Sequence, residues 1–170
     1  DCACGHFSAN AVWAVICDGM GGAQGGNIAS QMTVSSIKDQ ISSAYQDSMS
    51  HNAIKYLLKT ALYNANSAVY EKAQQEDSLR GMGTTVIATV VVDSIAHMIH
   101  AGDSRAYLLT ERGIRQVTED HSMVQELINT GDLTKEEARI SPHKNIITRA
   151  VGVHSTIEAD YYEEFLPPGA

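Results

Sequence analysis

Two carboxylates stand where apolar stretches give out. AVICDGMGG (14–22) closes an apolar run on Asp18, with Gly19, Met20, Gly21 and Gly22 directly after it, and HAGDSR (100–105) closes another on Asp103. Taken singly, each has the composition of a turn, because Asp tolerates turn geometry and Gly reaches positive φ. Two strand-end acids beside glycines in one sheeted domain point further, to a shared oxygen-donor site for a hard cation. Glycine beside such an acid leaves room for another group to approach the backbone. Other chemistries lack their residues. There is no HExxH, GxSxG or GxxxxGK[ST] pattern, and the second acid that an aspartyl nucleophile would want two residues on is Met20. His97 and His100 are three apart on an expected strand, so they face opposite sides and do not ligate one ion together. Glu119-Asp120-His121 reads as the approach to a helix, with an Asp or Ser as its N-cap.

The elements that must position Asp18 and Asp103 follow from periodicity. Ala11–Cys17 has seven apolar residues in succession, a strand buried on both faces. Residues 27–45 and 52–73 carry apolar stripes at helical spacing, the second one stronger, and each needs a sheet to cover. From Thr84 the chain turns β-branched. TTVIATVVV, a turn at Asp93-Ser94, IAHMIHA, RAYLL and IRQVT predict an antiparallel meander. SMVQELINTG is a short helix closed by Gly131, Thr134–Glu137 is a capping box opening another, and TIEADYYEEF is a final strand. A strand, two helices and then a run of strands indicate an α+β protein.

Composition narrows the classes. The chain has 170 residues, enough for one domain with a sizeable core. A formal charge of -8 argues against a nucleic-acid groove, and no apolar run approaches the ~20 residues of a membrane span. Cys2, Cys4 and Cys17 are an odd number, consistent with reduced thiols in a cytoplasmic protein. The first residue is Asp1, so the chain reads as a piece of a longer or processed product.

The motifs AVICDGMGG, GMGTT (81–85), HAGDSRAYLL (100–109), VTEDHS (117–122) and NIITRAVG (145–152), in that order, resemble the metal-dependent protein phosphatases of the protein phosphatase 2C type in their bacterial form. The resemblance implies a four-layer α-β-β-α sandwich with two mostly antiparallel sheets. It implies a protein serine/threonine phosphatase in which a water or hydroxide bridging two divalent metals, Mn2+ or Mg2+, attacks phosphoserine or phosphothreonine. Asp18 is then the catalytic acid and the bridging metal ligand, since one carboxylate can serve two cations ~3.5–4 Å apart. The Gly19 carbonyl is a ligand of one metal, Asp1 lies next to the metals, and Asp103 matches the acid that holds a third metal in several members. Thr84 and Arg149 fall in family motifs as structural residues, and residues 121–144 correspond to a flap beside the active site.

Departures are local. Ala23 and Asn27 stand where the family commonly has His and an acid. The family's phosphate-binding Arg and two further metal acids have no counterpart within the chain, so residues 1–170 are expected to be the central portion of one phosphatase domain. The partners implied are phosphorylated proteins and a serine/threonine kinase acting on them, with no nucleic acid and no membrane insertion. The rival from another class is a catalytically inactive, phosphatase-like binding module.

Overall fold

A computed structural model describes residues 2–8 and 11–170. Its centre is a five-stranded, wholly antiparallel sheet in the order β1-β2-β5-β6-β9. These strands are β1 (Cys2–Ser8), β2 (Ala11–Ile16), β5 (Val86–Val92), β6 (Ile95–Ala101) and β9 (Asp160–Phe165). Two long helices, α1 (Gly22–Ala44) and α2 (His51–Gln75), pack on each other and on one face of the sheet. Two further pairs are separate two-stranded sheets: β3 (Gly19–Met20) with β4 (Gly83–Thr84), and β7 (Tyr107–Thr110) with β8 (Gly113–Gln116). The short helices α3 (Met123–Thr130) and α4 (Lys135–Ile140) complete the fold. The α+β class, the antiparallel pairing and the long helix pair agree with the sequence. Of the four layers implied by the resemblance, the described residues form one helix pair and one large sheet.

The core lies between helices and sheet. Val15, Ala88, Val90 and Ile99 join Ile37, Ile41, Ile54, Leu58 and Leu62 in one buried cluster. Alternate residues project the other way, so Ile87, Met98 and His100 are buried on the opposite face, outside that cluster. The tight β5–β6 connection is Asp93-Ser94, both at positive φ (50° and 61°), the geometry that suits the twist of a hairpin. Ser122 and Thr134 cap α3 and α4 through their side chains, the latter as a full capping box, and Gly131 closes α3 at φ 82°.

Three features depart from the periodicity. Cys2–Ser8 forms an edge strand that the sequence did not mark. α1 begins at Gly22, five residues earlier than its apolar stripe, and runs through Gly25 and Gly26. TTVIATVVV is not one strand: it breaks at Thr85, between β4 and β5.

Candidate functional site

Strand register decides which side chains meet. Ile16 pairs with Ile87, and Ile87 with His100, so the C-terminal ends of β2 and β6 leave the sheet at the same edge. Asp18 follows the first and Asp103 the second. Asp160, opposite His100 at the start of β9, stands at that edge too.

Thr85 ties the two acids' segments together. Its backbone N–H donates to the Asp18 carbonyl at 2.9 Å, and its Oγ1 accepts the Asp18 N–H at 3.0 Å. The same hydroxyl lies 2.7 Å from Ser104 Oγ, beside Asp103. The side chain is fully buried, and a Cβ on Gly102 would stand 2.6 Å from the Thr85 methyl group. Glycine at 102, with φ 116°, lets the Asp103 loop close onto Thr85. The residue beside it, Thr84, is structural as expected: it exchanges backbone hydrogen bonds with Val151, at 3.1 and 2.9 Å.

Gly19 has a structural cause of its own. A Cβ there would come 1.9 Å from the Gly26 carbonyl oxygen, and one on Gly26 would come 2.7 Å from the Gly19 carbonyl carbon. What approaches the backbone at Gly19 is therefore the first turns of α1, which explains both the glycine-rich start of that helix and its closeness to Asp18.

The electrostatics are those of crowded acids. Asp18 is exposed and Asp103 half-buried. Burial, followed by repulsion from Asp120 and Asp18, raises the Asp103 carboxyl above its ordinary range. Asp120 accepts from the Arg105 guanidinium through both oxygens, at 2.6 to 3.1 Å. Around the corner, His121 is buried; its Nδ1 accepts the Gly102 N–H at 3.1 Å, and its Nε2 faces Asp160 at 3.2 Å. Arg149 donates to Asp160 at 3.0 Å. Burial alone would push Asp160 up, but the His121 and Arg149 contacts prevail and hold it below the usual carboxylate range. Arg149 thus acts as a strut for the start of β9. His97 and His100 do face opposite sides: His97 meets His51 at 2.9 Å and the Tyr161 hydroxyl at 2.6 Å, whereas His100 stacks on His121. Cys17 is a buried thiol, pushed up to about 12 by burial, and so is inert as a nucleophile.

The structure therefore brings Asp18, Gly19 and Asp103 to one edge, and Asp1 lies outside the described residues. Periodicity sets Asp120 at the approach to a helix, whereas the structure brings it near Asp103 and pairs it with Arg105; it does not single out Thr85 or Asp160. Thr85 carried a signal, since it closes GMGTT at the head of a β-branched run, but nothing local separates it from Thr84. The donors at this edge are carboxylate and carbonyl oxygens, which suit a Mg2+-like ion that takes one or two carboxylates and keeps several waters. Among the described residues no group of three His, Cys, Asp or Glu side chains could hold an ion by itself.

Known proteins are similar to this chain in sequence and in fold. A sequence model described as protein phosphatase 2C matches residues 1–155. Serine/threonine phosphatase stp of Listeria monocytogenes is 38% identical over 151 residues, covering 87% of this chain and 58% of its own length. The crystal structure of serine/threonine phosphatase Stp1 from Staphylococcus aureus superimposes with a TM-score of 0.89 at 32% identity, over 97% of this chain and 65% of that one. The catalytic domain of the phosphatase PstP, solved with two manganese ions, matches with a TM-score of 0.75 at 29% identity, over 98% of this chain and 66% of that one. The chain thus spans between half and two thirds of the length of these relatives. With the family's motifs in order and its fold reproduced, the chain belongs to the protein phosphatase 2C family.

Proposed function

We propose that residues 1–170 belong to a single phosphatase domain and that the protein hydrolyses phosphoserine and phosphothreonine in other proteins, with Mn2+ or Mg2+ held at the shared sheet edge. The observation that carries this is the convergence of Asp18 and Asp103, locked by the Thr85 hydrogen bonds. Support comes from family membership, from relatives named serine/threonine phosphatases and from a relative that binds two manganese ions. The exposed Asp18 carboxylate would bridge two cations, the Gly19 carbonyl would bind one of them, Asp1 would stand beside them and Asp103 would hold a third. Such cations, when bound, lower the pKa of water and offset charge on phosphoryl oxygens. The chain's own contribution is position. Thr85 fixes the Asp18 backbone from both sides, the Gly19–Gly26 contact fixes its exit, and a cation near Asp103 would relieve the acid–acid repulsion there.

The substrates proposed are cytoplasmic phosphoproteins, the targets of a serine/threonine kinase. Among the described residues no helix is long and apolar enough to cross a membrane. In the full-length protein, phosphothreonine-peptide hydrolysis should require manganese or magnesium, and Asp18→Asn should lower turnover by orders of magnitude. Parental turnover in that variant would contradict the bridging role. A full-length parent that binds phosphopeptides without hydrolysing them would favour the binding-module reading.

A further inference from the structure

A cleft of about 710 Å³ opens between the short helices α3 and α4 on one side and the Asp103–Tyr107 segment on the other. Asp103 is part of its lining, so the cleft is continuous with the sheet edge that holds the candidate metal ligands. Four cations also line it: Arg105, Lys135, Arg139 and Lys144. Arg105 is already engaged by both oxygens of Asp120. The other three are exposed, and among the described residues none of them makes an ion pair.

This grouping runs against the sign of the whole chain, whose formal charge is -8. Of the two lining cations on α4, Arg139 stands in the last turn, where the helix dipole favours it. Lys135 lies in the first turn, where the helix dipole disfavours a cation. Lys135 and Arg139 are four apart, so they repel each other on one face. Of the two adjacent acids, the Glu137 carboxylate is committed to the cap, accepting from the Thr134 backbone at 2.8 Å and hydroxyl at 2.7 Å, and Glu136 makes no ion pair with them among the described residues. Exposed cations gathered without ion-pair partners around an opening beside the candidate metal edge fit an anionic ligand.

We infer that this cleft is a specificity subsite that takes Asp and Glu side chains flanking the phosphorylated Ser or Thr of the substrate, with Lys135, Arg139 and Lys144 as the recognising groups; this rests on the phosphatase reading above. A peptide whose phosphoryl group sits at the sheet edge extends its neighbouring residues past Asp103 into the cleft. The phosphatase then selects acidic sequence contexts, although its net charge would repel them from most of its surface.

The test uses the full-length protein and two phosphothreonine peptides that differ only in carrying Asp and Glu, or Asn and Gln, around the phosphothreonine. The acidic peptide should show a KM about fivefold lower, as three exposed ion pairs of modest individual strength allow. That advantage should fade in high salt. Anisotropy with the metal-free protein should rank the two peptides in the same order, which reads the cleft without turnover. Lys135→Glu/Arg139→Glu/Lys144→Glu should reverse the preference toward a Lys-flanked peptide, an outcome that loss of packing would not produce. Equal KM and equal affinity for the acidic and neutral peptides would overturn the subsite and leave the phosphatase proposal standing. Preferential binding of the acidic peptide with no hydrolysis would support the subsite and overturn the phosphatase proposal instead.

Discussion

On the helix side of the five-stranded sheet, Val15, Ala88, Val90 and Ile99 meet Ile37, Leu58 and Leu62 in nearly continuous aliphatic contact. At the sheet edge the pattern is the reverse: Asp18, Thr85, Asp103, Ser104, His121 and Asp160 are polar and joined by hydrogen bonds or by charge. The first region contributes stability through burial, which is non-directional and tolerant of detail. The second fixes oxygen atoms in place and tolerates little. They share the strands: β2 supplies Val15 to the core and ends two residues before Asp18, and β6 supplies Ile99 and ends two residues before Asp103. Rigid packing on one side is what allows crowded acids on the other.

Leu58→Ala should separate the two regions most clearly. Leu58 is fully buried against the sheet, so truncation should cost about 2–5 kcal/mol in chemical denaturation. Manganese affinity of the folded fraction should stay at the parental level. Affinity that fell in step with stability would mean that the two regions are not separable.

Acid should act on the polar side. His100 is fully buried, its ring nitrogens lack a hydrogen bond of ordinary geometry, and burial followed by the charge of His121 depresses its pKa from 6.5 to about 4, despite Asp160 and Asp120 nearby. Between those values the unfolded chain takes up a proton that the folded one refuses. Stability is therefore retained above pH 6.5 and falls as the pH drops toward 4, at ~1.4 kcal/mol per unit and about 3 kcal/mol in all. Buried His97, also depressed by burial first, adds in the same direction. Denaturation at pH 7.5 and pH 5 should show the loss, and His100→Leu should flatten it. An equal slope in parent and variant would assign the acid sensitivity elsewhere.

Thr85→Val probes the link between the regions. It keeps the shape but removes the hydroxyl that accepts the Asp18 N–H and meets Ser104. The cost should be about 1–3 kcal/mol, with manganese affinity falling several-fold. A loss of stability with affinity unchanged would make the Thr85 tie purely structural.

How much of this the sequence carried depends on whether the determining contact is local. The strand ending at Asp18, the stripe of α2, the Asp93-Ser94 turn, the α4 capping box and the opposed faces of His97 and His100 all follow from spacing along the chain. The start of α1 does not. Glycines 22, 25 and 26 look like a loop until Gly19 is known to lie against Gly26, a contact between β3 and the helix. Asn66 is similar: it falls within the apolar stripe of α2, yet it is buried because its side chain accepts the Gly152 N–H at 2.8 Å and donates to the His154 carbonyl at 3.0 Å. At the edge itself, Asp18 and Asp103 were legible as strand-end acids. Asp160 and Thr85 became members only once the register set β2, β5, β6 and β9 side by side.

The proposed role of Asp18 is to hold divalent metal at the polar edge. Calorimetric titration of manganese into the full-length protein and into its Asp18→Asn variant, each checked for a parental circular-dichroism spectrum, tests it most directly. Binding should be tight in the parent and lost in the folded variant. Tight binding that persists unchanged in Asp18→Asn would contradict that role.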